Sequence, residues 1–592
     1  MHEAIILQAA PHYAAGRFPQ ALAILRRGLD KFPSNYPLLD KAVELLCKAK
    51  QYDQANFLVE RAARLAPIDR KYMMLAADIE MKRERFGAAA EYYWKAYQID
   101  PSDIDPLRAG CIALYQDGRI EQAMGTAKQL YDTRPGDIKA IALYTGFCDL
   151  AGDLDEMVRV LLLAIEKAPS DAAIHSALLL PLTRLHGVDP RIVFNHHVRM
   201  GQLLTEMVSS VPVPHLNVPD PERPLHIAYC SQDFRNRSAG HFIEPIIANH
   251  DKSQFKVTLY HNVISEDELT ARLRKHAYRY IDTHQIDDKK MSELIRAERV
   301  DILIDLSGHT GMGRIVPFAL KPAPLQYTYM GYPNTTGLPT MDFRIVDAFT
   351  DPPGSDYLAT ETLVRMEGCF LCYTPPPHAG NVAPVPSVKN GYVTFGSFNT
   401  HTKISNHVLA VWAKLLKEVP NSRLFLKSMA LAVPATRERI YTYFGTMGID
   451  RSRIDLEGET KGKSEHMQMY SRVDIGLDTW PYNGTTTTVE AMFMGVPVVT
   501  IAGKSHVSRV GVSLLSNIGL PEFIAADETD YLAKCVALAA DEPRRIELRA
   551  KLREMVTGSV LCDHAGFTKR LEAHYRQSWR DWCARKKLNK AL

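Results

Sequence analysis

Residues 473–503 read VDIGLDTWPYNGTTTTVEAMFMGVPVVTIAG. A short apolar run, VDIGLDT, meets a polar loop with one glycine and four threonines, then the helical pattern TVEAMFMG and a second apolar run, PVVTIAG. That order, strand, loop, helix, strand, is one unit of a parallel α/β sheet. It puts the loop at the carboxyl end of a strand and the amino end of a helix, where ligands of such sheets collect. Backbone N–H groups there lack partners, and the helix dipole favours an anion. Gly484 allows close approach of the backbone, and Thr485, Thr486 and Thr487 add hydroxyl donors. Glu490, one turn into the helix, is placed to accept from ribose hydroxyls. One threonine is enough to cap a helix. Four in a row predict a diphosphate cradle that lacks a Walker lysine.

The same alternation runs outward from this unit. Upstream, LHIAYCS (225–231), FKVTLYHNV (255–263), VDILIDLSG (300–308), PLQYTYMG (324–331) and FRIVDAF (343–349) predict buried strands. After the Pro-rich PPPHAGNVAPVP (375–386) come VTFGSFN (393–399), RLFLKS (423–428), RIDLEG (453–458) and the two runs already quoted. Two sets of strands separated by helices predict two doubly wound domains with a cleft between them. Two further loops leave strand ends of the second set. FGSFNTHTKI (395–404) carries Lys403 within reach of a phosphate, and GETKGKSEH (458–466) carries Lys463 and His466 one turn apart.

The first third of the chain is a repeat. Gly16-Arg17-Phe18, Lys50-Gln51-Tyr52, Glu84-Arg85-Phe86, Gly118-Arg119-Ile120 and Gly152-Asp153-Leu154 follow one another at steps of 34 residues. Pro33, Pro67, Pro101, Pro135 and Pro169 keep that step, as do Ala21, Ala55, Ala89 and Ala123, with Met157 closing the series. A turn, a small residue and a closing proline at this period are the tetratricopeptide signature. Stacked helix pairs of this kind offer a groove for extended peptide. Val211-Pro212-Val213-Pro214 and Pro219, Pro221 and Pro224 mark a stiff linker. The expected organisation is therefore repeats over 1–205, a linker over 206–224, one Rossmann-like domain over 225–374, a linker over 375–390 and a second Rossmann-like domain with C-terminal helices over 391–592.

Bulk properties narrow the function. A net charge of +3 on 592 residues argues against nucleic acid or an anionic membrane as partner. No apolar run reaches the ~18 residues of a transmembrane helix, and MHEAIILQAAPHYAAGRF lacks the pattern of a signal peptide. Nine scattered cysteines fit a reducing cytoplasm. Cys369 and Cys372 form a CxxC with no second pair or histidines at ligand spacing, so no metal is expected.

From about 225 to 560 the chain resembles the protein O-linked N-acetylglucosamine transferases and their SPINDLY-type and bacterial relatives. The resemblance rests on SQDF (231–234), DLSGHTG (305–311), PAPLQYTYMGYPNTTG (322–337), FGSFN (395–399), LDTWPYNGTTTTVEAMFMGVPVVT (477–500) and SRVGVSLL (508–515), with repeats ahead of them. It implies the two-domain GT-B fold and an inverting, metal-independent glycosyltransferase. The implied donor is UDP-N-acetylglucosamine, with no further cofactor, and the implied acceptor is Ser or Thr of a protein bound along the repeat groove. Self-association through the repeats is also implied as an option. By the same resemblance Lys403 looks like the diphosphate lysine, Lys463 and His466 like the pair that meets ribose and nucleobase, and Thr486 and Thr487 like the phosphate threonines. Glu490 falls where the animal enzymes use aspartate. His309 matches the G-H-T of the bacterial forms, and His241 matches the second histidine after D-F. Both are candidate bases. Arg237 stands where the animal enzymes have their first histidine, Thr400 replaces a glutamine, and the long animal insert is missing. The alternatives are a SPINDLY-type fucosyltransferase using GDP-fucose and a scaffold without chemistry.

Overall fold

The computed structural model describes residues 2–591 apart from 67, 209–212, 263–264, 312, 378, 459 and 461. Pro67, Val211 and Pro212, Val263, His378, Glu459 and Lys461, which the sequence motifs include, thus lie outside the described residues.

Helices begin at Phe18, Tyr52, Phe86, Ile120 and Leu154, at the step of 34. Two residues before each start the chain turns through the left-handed region, with φ of 70° at Gly16, 56° at Lys50, 58° at Glu84, 79° at Gly118 and 71° at Gly152. Ala21, Ala55, Ala89 and Ala123 are fully buried, which is what lets neighbouring helices approach. Pro33, Pro101, Pro135 and Pro169 each stand just past a helix end.

Helices up to Ala151, with the short segment Val433–Ala435, form one compact unit, and the rest of the chain from Gly152 onward belongs to another. The boundary expected at 205 separates helical from α/β sequence, whereas compactness divides the chain much earlier. The helices Leu154–Lys167, Ala172–Arg184 and Pro190–Val208 belong with the α/β part. Met200 and Leu204 pack with Leu303, Phe318 and Met341. His197 Nε2 meets the Tyr332 hydroxyl at 2.7 Å. A Cβ on Gly201 would stand 1.8 Å from the Gly337 carbonyl oxygen, so this helix lies directly on the loop at 337.

Two parallel sheets follow. The first contains β1 (Leu225–Ser231), β2 (Phe255–His261), β3 (Arg279–Asp282), β4 (Ile302–Asp305), β5 (Leu325–Tyr329), β6 (Phe343–Asp347) and β7 (Thr362–Met366), in the order β3-β2-β1-β4-β5-β6-β7. The second contains β8 (Val393–Ser397), β9 (Ser422–Lys427), β10 (Ile454–Glu457), β11 (Ile475–Leu477), β12 (Val498–Ile501) and β13 (Ile524–Ala525), in the order β10-β9-β8-β11-β12-β13. The order reverses between β1 and β4 in one sheet and between β8 and β11 in the other. At such switch points neighbouring loops diverge and leave a crevice. SQDF follows β1, DLSGHTG follows β4, the Lys403 loop follows β8 and the threonine loop follows β11. The motifs thus mark both crevices.

The last helix, His564–Ala591, returns to the first sheet instead of closing the second domain. The Tyr327 hydroxyl donates to Ser578 Oγ at 2.6 Å, and Trp579 Nε1 donates to the Asp220 carbonyl at 2.8 Å. Cys369 and Cys372 are buried in the core, where burial pushes the Cys372 thiol up to about 12.

Candidate active site

The loop between β11 and the helix Thr486–Phe493 is held from behind by Asp478. Its buried carboxylate accepts from the Gly484 N–H at 2.6 Å, the Thr479 N–H at 2.9 Å and the Thr500 hydroxyl at 2.7 Å. A Cβ on Gly484 would lie 2.4 Å from Thr488 Oγ1 and 2.9 Å from Asn399 Oδ1, so only glycine fits. The threonines do not act as caps. Thr485, at the N-cap position, makes no side-chain cap bond. Thr486 Oγ1 is buried without a hydrogen-bond partner, and Thr487 Oγ1 donates to Asn399 Oδ1 at 3.1 Å. A shielded hydroxyl left unpaired costs about 1–3 kcal/mol, and a phosphate oxygen at the helix start would satisfy it.

Lys403 comes to the same place from the loop after β8. Its Nζ donates to the Asn483 carbonyl at 2.8 Å and stands 4.1 Å from the centre of the Tyr482 ring. Burial lowers the Lys403 ammonium from the ordinary lysine range, against the pull of Asp478. Lys403, Thr485, Thr486, Thr487, Asn399 and Tyr482 line one side of a cleft of about 220 Å³. Asp233, Ser238, Phe242 and Met330 of the first domain line the other. Burial raises the Asp233 carboxyl, against the nearby Arg235 and Arg237.

Glu490 has its oxygens engaged inside the protein. It is 2% exposed; Oε1 accepts from Lys463 Nζ and Oε2 from His466 Nε2 at 2.9 Å. Burial alone would raise this carboxyl, but the bonds from His466 and Lys463 outweigh it and hold it low. The expected ribose acceptor is therefore, in this structure, the brace that sets Lys463 and His466 side by side. Lys427, at the end of β9, completes the group with Nζ 2.9 Å from His466 Nδ1. Nothing in the sequence near Lys427 signalled it.

The two candidate bases part company. His241 Nε2 bonds Asn236 Oδ1 at 2.7 Å, which leaves the lone pair on Nδ1. Burial lowers its pKa, and Lys463 and Glu490 are close enough to contribute. His309 is buried, with Nε2 2.6 Å from the Thr336 carbonyl and its ring edge-on to Tyr332. The reason is local: Asp305 accepts from the N–H groups of Ser307 and Gly308 and folds the loop back after β4. His309, like His241, is not among the cleft-lining residues, and its Nδ1 is buried without a hydrogen-bond partner. Arg237 is exposed at the start of the helix Ser238–Asn249.

A sequence profile of glycosyl transferase family 41 matches residues 148–373 and 386–571, and a tetratricopeptide profile matches residues 12–79. The chain is 44% identical over 371 residues to an Arabidopsis thaliana protein named as the probable UDP-N-acetylglucosamine–peptide N-acetylglucosaminyltransferase SPINDLY, covering 62% of this chain and 41% of that protein. It is 29% identical over 371 residues to the protein of the same plant named SEC, covering 61% and 38%. The chain thus spans about two fifths of the length of these curated relatives. Among solved structures, a mutant O-GlcNAc transferase of Thermobaculum terrenum matches with a TM-score of 0.74 at 30% identity, over 93% of this chain and 98% of that one. The paired Rossmann-like domains are a GT-B fold.

Proposed function

Since the chain belongs to glycosyl transferase family 41, we propose that it transfers N-acetylglucosamine from UDP-N-acetylglucosamine to serine or threonine hydroxyls of proteins, with inversion. The observation that carries this reading is that Lys403 lines one cleft with the unpartnered Thr486 hydroxyl at an uncapped helix start. Breaking the anomeric C–O bond leaves charge on the β-phosphate. Fixed donors and a positive charge aimed at that oxygen stabilise it as it develops. These groups do so without a metal on the phosphates. Lys463 and His466, braced by Glu490, hold the nucleoside end. The acceptor hydroxyl attacks from the side of the first domain, where Asp233 lines the cleft and can receive its proton; His241, with its lone pair on Nδ1, is the second candidate although it is not among the lining residues. A protein acceptor carried on the repeats and a cytoplasmic setting belong to the same proposal.

A second donor, the GDP-fucose expected of SPINDLY-type enzymes, is favoured by one observation: identity to the SPINDLY-named chain is 44%, against 29% for the SEC-named one. Donor hydrolysis in EDTA, with each sugar nucleotide supplied separately, decides. Turnover of UDP-N-acetylglucosamine is expected. Turnover of GDP-fucose alone would replace the donor, and turnover of neither would leave a scaffold.

A further inference from the structure

Away from the phosphate cleft, three side chains distant in sequence converge. His186 lies in the turn between the helices Ala172–Arg184 and Pro190–Val208, His407 at the start of the helix Asn406–Glu418, and Glu528 at the start of the helix Glu528–Ala540. The two imidazoles are stacked, with ring centres 3.6 Å apart and planes at 14°. Both present Nε2 to the same carboxylate oxygen: His407 Nε2 bonds Glu528 Oε1, and His186 Nε2 stands 4.0 Å from it. All three candidate donor atoms lie within 4.8 Å of one another. Side-chain exposures of 41%, 37% and 34% leave the group open on one side.

From this convergence we propose that His186, His407 and Glu528 form a binding site for a divalent transition-metal cation of the zinc type. Two imidazoles and one carboxylate with an open position are a donor set that suits zinc. Ligand bonds of about 2.0–2.2 Å in a tetrahedral site put donor atoms roughly 3.3 Å apart. The two observed Nε2–Oε1 separations lie to either side of that value, and the nearly parallel rings must turn for both lone pairs to face one cation. A dication matches both rings' lone pairs and the carboxylate at once. The site also touches the donor loop, because Glu528 Oε1 accepts from Trp480 Nε1 at 3.3 Å. The cation would hence tie the end of the repeat region to two helices of the second sheet, apart from the phosphates.

The test uses the full-length, untagged protein, stripped with EDTA and desalted. Titration with Zn²⁺ by calorimetry should show a saturable site that His186→Ala and His407→Ala each weaken by at least about tenfold, as loss of a ligand should. Co²⁺ should give the visible absorption of a low-coordinate site, and His186→Cys should restore binding and add a thiolate charge-transfer band. Melting curves recorded without metal establish that each variant is folded. Absence of saturable Zn²⁺ binding to the parent protein, or binding unchanged in the His186→Ala/His407→Ala double variant, would overturn the proposal.

Discussion

Replacing Lys403 by alanine removes the cleft's ammonium while leaving the threonine loop anchored through Asp478 and Asn399. Its effect can be worked from the geometry. A unit charge about 4 Å from an ammonium, at an effective dielectric of about 20, interacts by about 4 kcal/mol. The donor carries phosphate charge already, so part of this is present in the ground state and lost as affinity. Between half and one further unit of charge develops on the leaving β-phosphate, which puts the transition-state share at about 2–4 kcal/mol. That is a fall in turnover of roughly 30- to 10³-fold, within the range for loss of an oxyanion donor. Donor affinity should fall less, because Lys463, His466 and the helix start still hold the nucleotide. Single-turnover transfer and donor titration on the same variant separate the two effects, with Lys403→Met as a second uncharged replacement that keeps the apolar stem. A variant turning over at near-normal rate would give Lys403 no more weight than a surface charge, about 0–1 kcal/mol, and would refute the assignment of the cleft.

Three further outcomes are expected. Burial lowers the Lys403 ammonium in the empty cleft and bound phosphates raise it, so UDP affinity is fully present below the lowered pKa and is lost as pH rises above it. Titrations between about pH 7 and 9.5 should show this decline and proton uptake on binding; a flat profile, or the same decline in Lys403→Ala, contradicts it. Glu84, at φ 58°, holds a conformation that costs a side chain about 1–2 kcal/mol, of which glycine gives back part in chain entropy. Glu84→Gly should therefore raise the unfolding transition of the repeats by about 0.5–1 kcal/mol, and a lowered transition would count against the strain. Deleting residues 1–151 should spare donor hydrolysis and remove transfer to intact protein acceptors. Deleting 1–205 also strips Met200, Leu204 and His197 from the first domain and should yield unfolded protein by circular dichroism; a folded, active product would contradict that packing.

Features carried by local chemistry or by period were legible in the sequence. The 34-residue step reappears in helix starts and in left-handed turns, even where lysine and glutamate occupy the turn. The threonine loop is where its flanking patterns put it. The strands missed were β3, β7 and β13, all at sheet edges. β3, RYID, is exposed or half-buried throughout, so no apolar run announces it. Tertiary facts were invisible for a different reason. Glu490 is tied to Lys463 across 27 residues, and the return of Trp579 to Asp220 spans 359. His186 and Glu528 belong to no common motif. Asp233 was read only as part of SQDF, and its place opposite the threonines depends on how two domains face each other. His309 was read from its motif, but the Asp305 turn decides where its ring goes.

The regular step of the repeats and the position of Gly152 together bear on how such a chain is extended. Gly152 is itself one of the left-handed joints, and a Cβ there would lie 2.6 Å from Arg439 Nη2 and 2.9 Å from His401 Nε2. The last joint of the series is thereby also a part of the α/β body, against the Lys403 loop at His401, two residues before Lys403. Upstream of it every joint repeats the same geometry and each helix pair needs only its neighbours. The length of the repeat region is consequently quantised: whole steps of 34 residues can be spliced in or out ahead of residue 152, whereas a splice at the joint itself disturbs the loop that carries His401 and Lys403. Evolution and engineering face the same rule here, with modules added or removed ahead of the joint and the α/β body insulated from their count.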